Sequence, residues 1–243
     1  QSLEEAWQLN QSRRNRILGG MLWLRLGNGT VNTAIDLCDL GLGAIAETET
    51  EFSIGAMATL RDLEQHEGLN AYTQGALRNA VRDIVGVQFR NMATVGGSIW
   101  GRFGFSDVLT AFLALDTYVE LHKGGIIPLE EFAKRKKDSD ILVRLLVKKT
   151  PCRVVYTAMR NQRTDFPVLA CAVCRMGEET RISVGARPGR AVLLRTEETD
   201  PKALGDFAAQ NIPTESNLRG SAAYRTHLVR VLTQRAMTEL EGK

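Results

Sequence analysis

Histidine is scarce in this chain of 243 residues: His66, His122 and His227 are the only three, and they stand in unrelated contexts. No Ser/His/Asp or Cys/His nucleophile set emerges from them, so hydrolytic chemistry by activated side chains is poorly supported. Cysteine is nearly as sparse. Cys38, Cys152, Cys171 and Cys174 make no disulfide framework in a chain this long. Cys171-Ala-Val-Cys174 has the spacing of a metal ligand pair, but no second CxxC and no nearby His pair accompanies it. It lies in the apolar run Val168–Cys174, which reads as a strand, so two small core residues are expected and no metal site. No apolar run reaches the length of a membrane span and no signal-peptide pattern is visible, so a reducing cytoplasm is expected. Strong charge is missing too. Lys and Arg number 31 against 28 Asp and Glu, a formal net charge of +3. The runs Arg13-Arg14-Asn15-Arg16 and Lys134-Arg135-Lys136-Lys137 are short, and are expected to be solvated faces, not nucleic-acid patches. Two familiar phosphate loops are absent as well. There is no GxGxxG with an acid some twenty residues on, and no GxxxxGK[ST].

What is present is an ordinary globular composition, 44% apolar and 24% charged, enough for a sizeable core. Ser2, with Glu5 three positions on, reads as a capping box opening a helix. Ile17-Leu18, then Thr33, Ile35 and Leu37, then Phe52, Ile54 and Ala56 read as strands, and Thr59 opens a helix. Leu77, Ala80, Val81, Ile84 and Val85 share one helical face, in a helix expected to run from Gly75 to near Gly86. Ser106 or Asp107 caps a further helix. Thr117, Val119 and Leu121 alternate as a strand that Gly124-Gly125 turns back toward Ile126-Ile127. Past a boundary near Lys149-Thr150-Pro151, the runs 153–159, 168–176 and 182–186 predict an antiparallel meander that 191–194 extends. Helices close the chain, the last from Ser221 through Leu228, Leu232, Ala236 and Leu240.

Two other glycine pairs carry the functional signal: Ile17-Leu18-Gly19-Gly20-Met21-Leu22-Trp23, and Arg90-Asn91-Met92-Ala93-Thr94-Val95-Gly96-Gly97-Ser98-Ile99 followed by Ser106-Asp107. Glycine lets backbone N–H groups approach a ligand that a Cβ would hold away, and successive N–H groups form a nest for phosphate. Each pair is expected to be a turn after an extended apolar stretch. Two nests from separate segments would grip a diphosphate from both sides, which points to a dinucleotide. With no side-chain catalytic set, a bound cofactor is expected to carry the chemistry.

These segments resemble the FAD-binding subunits of molybdenum hydroxylases, the family of xanthine dehydrogenase and carbon monoxide dehydrogenase flavoproteins. The likeness extends over nearly the whole chain. Ser2-Leu3-Glu4-Glu5-Ala6, Leu18-Gly19-Gly20, Ile54-Gly55-Ala56-Met57-Ala58-Thr59-Leu60 and Gly220-Ser221-Ala222-Ala223-Tyr224-Arg225 follow in the family's order. The resemblance implies an α+β chain: a two-lobed FAD-binding fold of the vanillyl-alcohol-oxidase/PCMH type with a small C-terminal antiparallel-sheet-plus-helix domain. Residues 1–58 would form the first lobe, 59–150 the second and 151–243 the third unit.

Carried over position by position, Leu18, Gly19, Gly20, Met21, Leu22 and Trp23 would surround the FAD pyrophosphate. Ala93, Thr94, Gly96, Gly97 and Ser98 would meet it from the other side. Asp107 would reach a sugar or ribitol hydroxyl, or else cap its helix. Leu142 would lie against the isoalloxazine. The family often has a lysine near the flavin pyrimidine; none occurs in Met159–Asp165, and Arg160 is the available cation there. Two further departures are Ser98 where Gly-Gly-Asn is usual, and the bulky Met21-Leu22-Trp23, of which Trp23 is expected chiefly in core packing. The implied partners are an iron–sulfur subunit and a large molybdopterin subunit, with NAD as the electron acceptor and neither nucleic acid nor membrane involved. No residue of this chain need be catalytic and none a metal ligand. A stand-alone FAD oxidase or reductase of the same fold, and a non-catalytic phosphate- or nucleic-acid-binding module, are the rival readings.

Overall fold

A computed structural model describes residues 2–242. Ser2 caps α1 (Leu3–Asn10), its hydroxyl accepting from Glu5 N–H at 3.2 Å. The reciprocal capping box is found at Thr59 instead, where Asp62 N–H donates to the Thr59 hydroxyl and the Asp62 carboxylate accepts from Thr59 N–H, opening α2 (Leu60–Gln65). The first segment holds a parallel pair, β1 (Arg16–Leu18) with β2 (Ala34–Asp36). Then come β3 (Ile45–Glu47) and β4 (Glu51–Gly55), followed by α2, α3 (Glu67–Tyr72), α4 (Ala76–Val81), α5 (Val87–Met92), α6 (Val95–Gly101) and α7 (Asp107–Ala114). The expected hairpin β5 (Thr117–Leu121) and β6 (Gly125–Pro128) leads through α8 (Leu129–Lys134) to β7 (Leu142–Lys148). These strands form one antiparallel sheet in the order β3-β4-β7-β5-β6.

The helix expected over 75–86 is shorter than its apolar pattern. It stops at Val81, and Val85 adopts a left-handed φ of 50° with 54% of its surface exposed. The reason is local: the chain must turn at 82–86 so that α5 packs on α2. Arg90, 5% exposed, fixes that turn by donating to Ile84 O (3.0 Å) and Glu64 Oε2 (2.8 Å).

Past residue 150 the meander is as expected: β8 (Arg153–Arg160), β9 (Pro167–Met176), β10 (Glu179–Gly185) and β11 (Val192–Thr196) lie in the order β11-β10-β9-β8. Helices α9 (Pro201–Asn211) and α10 (Ala222–Glu241) follow. Both faces of this sheet are covered. Leu169, Cys171 and Val173 of β9 pack toward α9 and α10, while Ala170, Ala172 and Cys174 join the main core. Because strand side chains alternate, Cys171 and Cys174 belong to opposite faces, and their CxxC spacing places no shared ligand site between them. The wholly buried α7 lies against β9, β10 and α4 at the centre of the molecule, which explains its apolar circumference.

Candidate functional site

The two glycine pairs meet. An ideal Cβ on Gly19 would lie 2.8 Å from Thr94 Oγ1, and one on Gly97 3.0 Å from the same atom. Around this waist runs a crevice with two arms, of about 410 and 420 Å³, sharing Ile17, Gly19, Thr94, Gly97 and Trp100 as common wall. Each has the dimensions of a small-ligand site.

The four glycines divide by role. A Cβ on Gly20 would overlap the carbonyl of Met92, and one on Gly96 would come within 2.6 Å of Ala56 Cβ and O. Both are required by close backbone packing. Gly20 and Gly96 border one arm each, whereas Gly19 and Gly97 border both, where a side chain would take ligand space.

The first loop supplies the donors. Among the described residues, no protein acceptor is found for the N–H groups of residues 19–23, a run in which Met21 holds a left-handed φ of 57°. Such a run suits an anion, and Met21 stands in a conformation that small residues adopt at lower cost.

The second pair differs from expectation. It lies not in a turn after a strand but in the first turn of α6, which Thr94 caps. All four of its first-turn N–H groups are already engaged, Val95 to Ala58 O and Gly96 to Ala56 O (both 2.8 Å), Gly97 to Thr94 Oγ1 and Ser98 to Thr94 O (both 3.1 Å). That zipper holds α6 against the 56–60 segment. Ser98 Oγ also donates to Thr94 O (2.9 Å). What remains for a ligand is the Thr94 hydroxyl proton, beside a Gly97 backbone that carries no side chain.

Met21, Leu22, Trp23, Ala93, Ser98, Asp107 and Arg160 line the second arm; Leu18, Gly96 and Leu142 line the first. Leu142 and Arg160, both expected near the flavin ring, therefore lie in different arms. Trp23 is not a core residue. It is 46% exposed and packs with Phe103, Phe105 and Phe166, ring centroids 5.5–5.9 Å away, as an aromatic wall. Asp107 is the first residue of α7; the cap is Ser106, whose hydroxyl accepts from Leu109 N–H at 3.1 Å. The Asp107 carboxylate takes hydrogen bonds on Oδ1 from the Tyr156 hydroxyl and from Arg160 Nη2 (2.7 Å). Burial pushes the Asp107 carboxyl above its ordinary pKa, against the pull of Arg160 and Tyr156. Burial works against the Arg160 cation, but Asp107 and Tyr156 outweigh it and hold its pKa high. Both side-chain donors found among the described residues go to Oδ1, which leaves Oδ2 able to accept from a hydroxyl.

Sequence reasoning missed Phe103, Phe105, Phe166 and Lys137. The Phe103-Gly104-Phe105 triplet between two helices was the available signal for the first two. Lys137 belongs to a run expected to be solvated, yet it lines the aromatic arm. The polar arm is lined by Arg13, Asn15, Arg16, Asp138 and Asp140, among others. The unpaired N–H run, the space that Cβ atoms at 19 and 97 would fill, and a sugar-competent carboxylate fit a dinucleotide. No described helix is long and apolar enough to cross a membrane.

The family described as "FAD binding domain in molybdopterin dehydrogenase" matches residues 1–149. The Escherichia coli K12 protein YgfM is 28% identical over 204 residues, covering 82% of this chain and 76% of its own length. The xanthine dehydrogenase FAD-binding subunit of Escherichia coli O157:H7 is 28% identical over 192 residues, 68% of this chain and 65% of that subunit. Among solved structures, quinoline 2-oxidoreductase from Pseudomonas putida 86 superposes with a TM-score of 0.86 at 18% identity, over 98% of this chain and 94% of the other. Carbon monoxide dehydrogenase from Hydrogenophaga pseudoflava gives 0.85 at 22% identity, over 99% and 95%. The fold likeness thus extends past residue 149, through the C-terminal sheet and helices. With its crevice and its sequence in agreement, the chain belongs to the family of FAD-binding domains of molybdopterin dehydrogenases, oxidoreductases whose cofactor is FAD.

Proposed function

We propose that this chain is the flavin-carrying electron-transfer subunit of a molybdenum hydroxylase complex. It would receive electrons from iron–sulfur clusters on a partner subunit, supplied in turn by a large molybdopterin subunit, and deliver them to a soluble acceptor such as NAD. The observation that carries the reading is the run of unpaired N–H groups at 19–23, set against Thr94 and Gly97 at the waist of a two-armed crevice. Bound FAD supplies an electron store that fills singly and empties as a hydride.

The chain's own residues bind and orient. Gly19 to Trp23 and the Thr94 hydroxyl hold the diphosphate at the waist. The aromatic arm would hold the isoalloxazine; there Arg160, fixed by Asp107, would supply positive charge and the Asp107 carboxylate would accept from a sugar hydroxyl. The polar arm takes the adenosine, with Leu142 against it. Units 1–58 and 59–150 supply the waist, and 151–243 contributes Arg160 and Phe166.

Purified protein is expected to be yellow and to release FAD on denaturation. Under anaerobic conditions its flavin stays oxidised with organic substrate alone, and is bleached once iron–sulfur and molybdopterin subunits are added. Turnover of an organic substrate by the isolated chain would instead establish a stand-alone oxidase or reductase.

A further inference from the structure

The four cysteines occupy four different settings. Cys38 is exposed, but its side chain is hydrogen-bonded to Asp36, which raises its pKa. Cys171 is wholly buried beside Thr233, and burial pushes its thiol up to about 12. Cys174 is wholly buried too, on the opposite face of β9, and Cys152 and then burial hold its proton in place. Cys152 alone is both partly exposed and held below the ordinary thiol range, at about 7. Its hydrogen bond to Cys174 is the first cause, with the Tyr72 hydroxyl and Arg181 also favouring the anion against burial. The thiolate is the nucleophilic form, so reactivity concentrates at Cys152.

Strand register brings Cys152 to Cys174. In the β8–β9 ladder Arg153 faces Arg175 and Val154 faces Cys174. Side chains alternate along a strand, so Cys152, two residues before Val154, falls on the Cys174 side. Both pack in the main core. The third member is Tyr72, at the end of α3. Cys152 Sγ donates to its hydroxyl at 3.4 Å, and that hydroxyl reaches Lys148 O (2.9 Å) and Thr150 O (2.8 Å). Tyr72 thereby ties the chain where it passes from the five-stranded sheet to the four-stranded one. Burial, and then Cys152, keep the Tyr72 proton on, so its hydroxyl can turn to donate to a Cys152 thiolate. Arg181 of β10, 14% exposed, faces the pair as a cation. The nearby carboxylates act on the partners, Glu179 on Cys174 and Asp116 on Tyr72. Cys152, Cys174 and Tyr72 line neither arm of the crevice.

We propose that Cys152 and Cys174 form a redox-active dithiol, in which hydrogen peroxide oxidises Cys152 and Cys174 then closes a disulfide. In the first step the Cys152 thiolate attacks a peroxide oxygen. An S–O bond forms, the O–O bond breaks, and the hydroxide that leaves takes up the proton Cys152 had released. In the second step the Cys174 sulfur attacks the sulfenic sulfur. An S–S bond forms, the S–O bond breaks, and the oxygen leaves as water with the Cys174 proton. Two thiols lose two electrons and two protons, and one peroxide becomes two waters. Burial sets the order, since peroxide meets Cys152 from solvent while Cys174 is shut in behind it. The new bond takes Cys152 from Tyr72 and fastens the 149–152 junction to β9, until a thiol reductant reverses it.

The test treats the purified full chain, reduced and then freed of reductant, with equimolar hydrogen peroxide at neutral pH. Intact mass and peptide mapping read the products. A Cys152–Cys174 disulfide that dithiothreitol reverses is expected, with Cys38 and Cys171 unmodified. Cys152→Ser should abolish it and leave Cys174 a free thiol. Cys174→Ala should stop at a Cys152 sulfenic acid, which dimedone traps. Tyr72→Phe keeps the ring and should slow alkylation of Cys152 by iodoacetamide at least about threefold at neutral pH. The midpoint of that alkylation should also move up from about 7. A melting temperature near the wild type's shows that each variant folds, and if Cys174→Ala does not, Cys152→Ser and Tyr72→Phe decide. Wild-type thiols left untouched by peroxide overturn the proposal. So does a sulfenic acid that persists at Cys152 in the wild type, which would put Cys174 out of reach. A disulfide formed through Cys38 instead, or Cys152 alkylation indifferent to Tyr72→Phe, overturns it equally.

Discussion

A methyl group on Gly96 would collide with Ala56, whereas one on Gly97 would meet only the Thr94 hydroxyl, at 3.0 Å. The two neighbours therefore separate fold from ligand. Gly96→Ala is expected to destabilise by about 1–3 kcal/mol through overpacking, read as a lower melting temperature. Gly97→Ala should melt near the wild type, since Ala favours a helix over Gly by about 1 kcal/mol, yet bind FAD at least about tenfold more weakly. Equal FAD affinity in Gly97→Ala would remove that residue from the site. The Asp107–Arg160 pair gives a second contrast, because both side chains are largely buried, 6% and 9% exposed. Arg160→Met leaves a buried carboxylate without its cation and should cost about 3–5 kcal/mol at neutral pH. Adding Asp107→Asn should restore much of that stability without restoring flavin affinity. Urea denaturation of the three variants reads the difference. At this scale the sequence was legible where it marked a close approach of backbone, as with the two glycine pairs that meet at Thr94. It was not legible for Lys137, because a lysine in a charged run looks solvated until the fold shows what it borders.

At the scale of elements, helix α1 is fastened by a charge cluster. Glu4 Oε2 accepts from Lys123 Nζ (2.5 Å) and His122 Nε2 (3.0 Å) at the turn between β5 and β6. These bonds, Lys123 first, push the Glu4 carboxyl from 4.5 down to about 2. A depressed carboxylate stabilises the fold above its unfolded value and loses that contribution as pH falls through the folded one. The tie is thus complete above about pH 4.5 and disappears toward pH 2. Amide exchange in α1 should therefore accelerate relative to that in α7 over this window, and Glu4→Gln should show the fast exchange already at pH 7. Exchange in α1 that is indifferent to Glu4→Gln would contradict the assignment. The elements themselves followed from periodicity where one face is buried, as in β5, or both, as in β9. Periodicity failed at Ile84 and Val85, where apolar spacing continues but the backbone must turn for α5 to reach α2. It also failed at Gly96-Gly97, whose helical start depends on a zipper to Ala56 and Ala58 some forty residues earlier, a pairing that no local pattern reports.

At the scale of the whole molecule, the crevice draws walls from all three parts of the chain, so ligand and fold should stabilise each other. FAD at a hundred times its dissociation constant is expected to add about 2.7 kcal/mol to unfolding, seen as a rise in melting temperature with FAD concentration. FMN, which lacks the adenosine half, should stabilise less. Most of the architecture was legible because the family's motifs occur in order along the chain. The division of the crevice into an aromatic and a polar arm was not, because Trp23, Phe103 and Phe166 are far apart in sequence and meet only in the fold. The most direct measurement of the central claim is a crystal structure of the FAD-bound protein. The account predicts both phosphates at the waist, contacted by the N–H groups of residues 19–23 and by Thr94, with the isoalloxazine beside Arg160. Phosphates lying away from Gly19 and Gly97, with the waist closed between them, would contradict it.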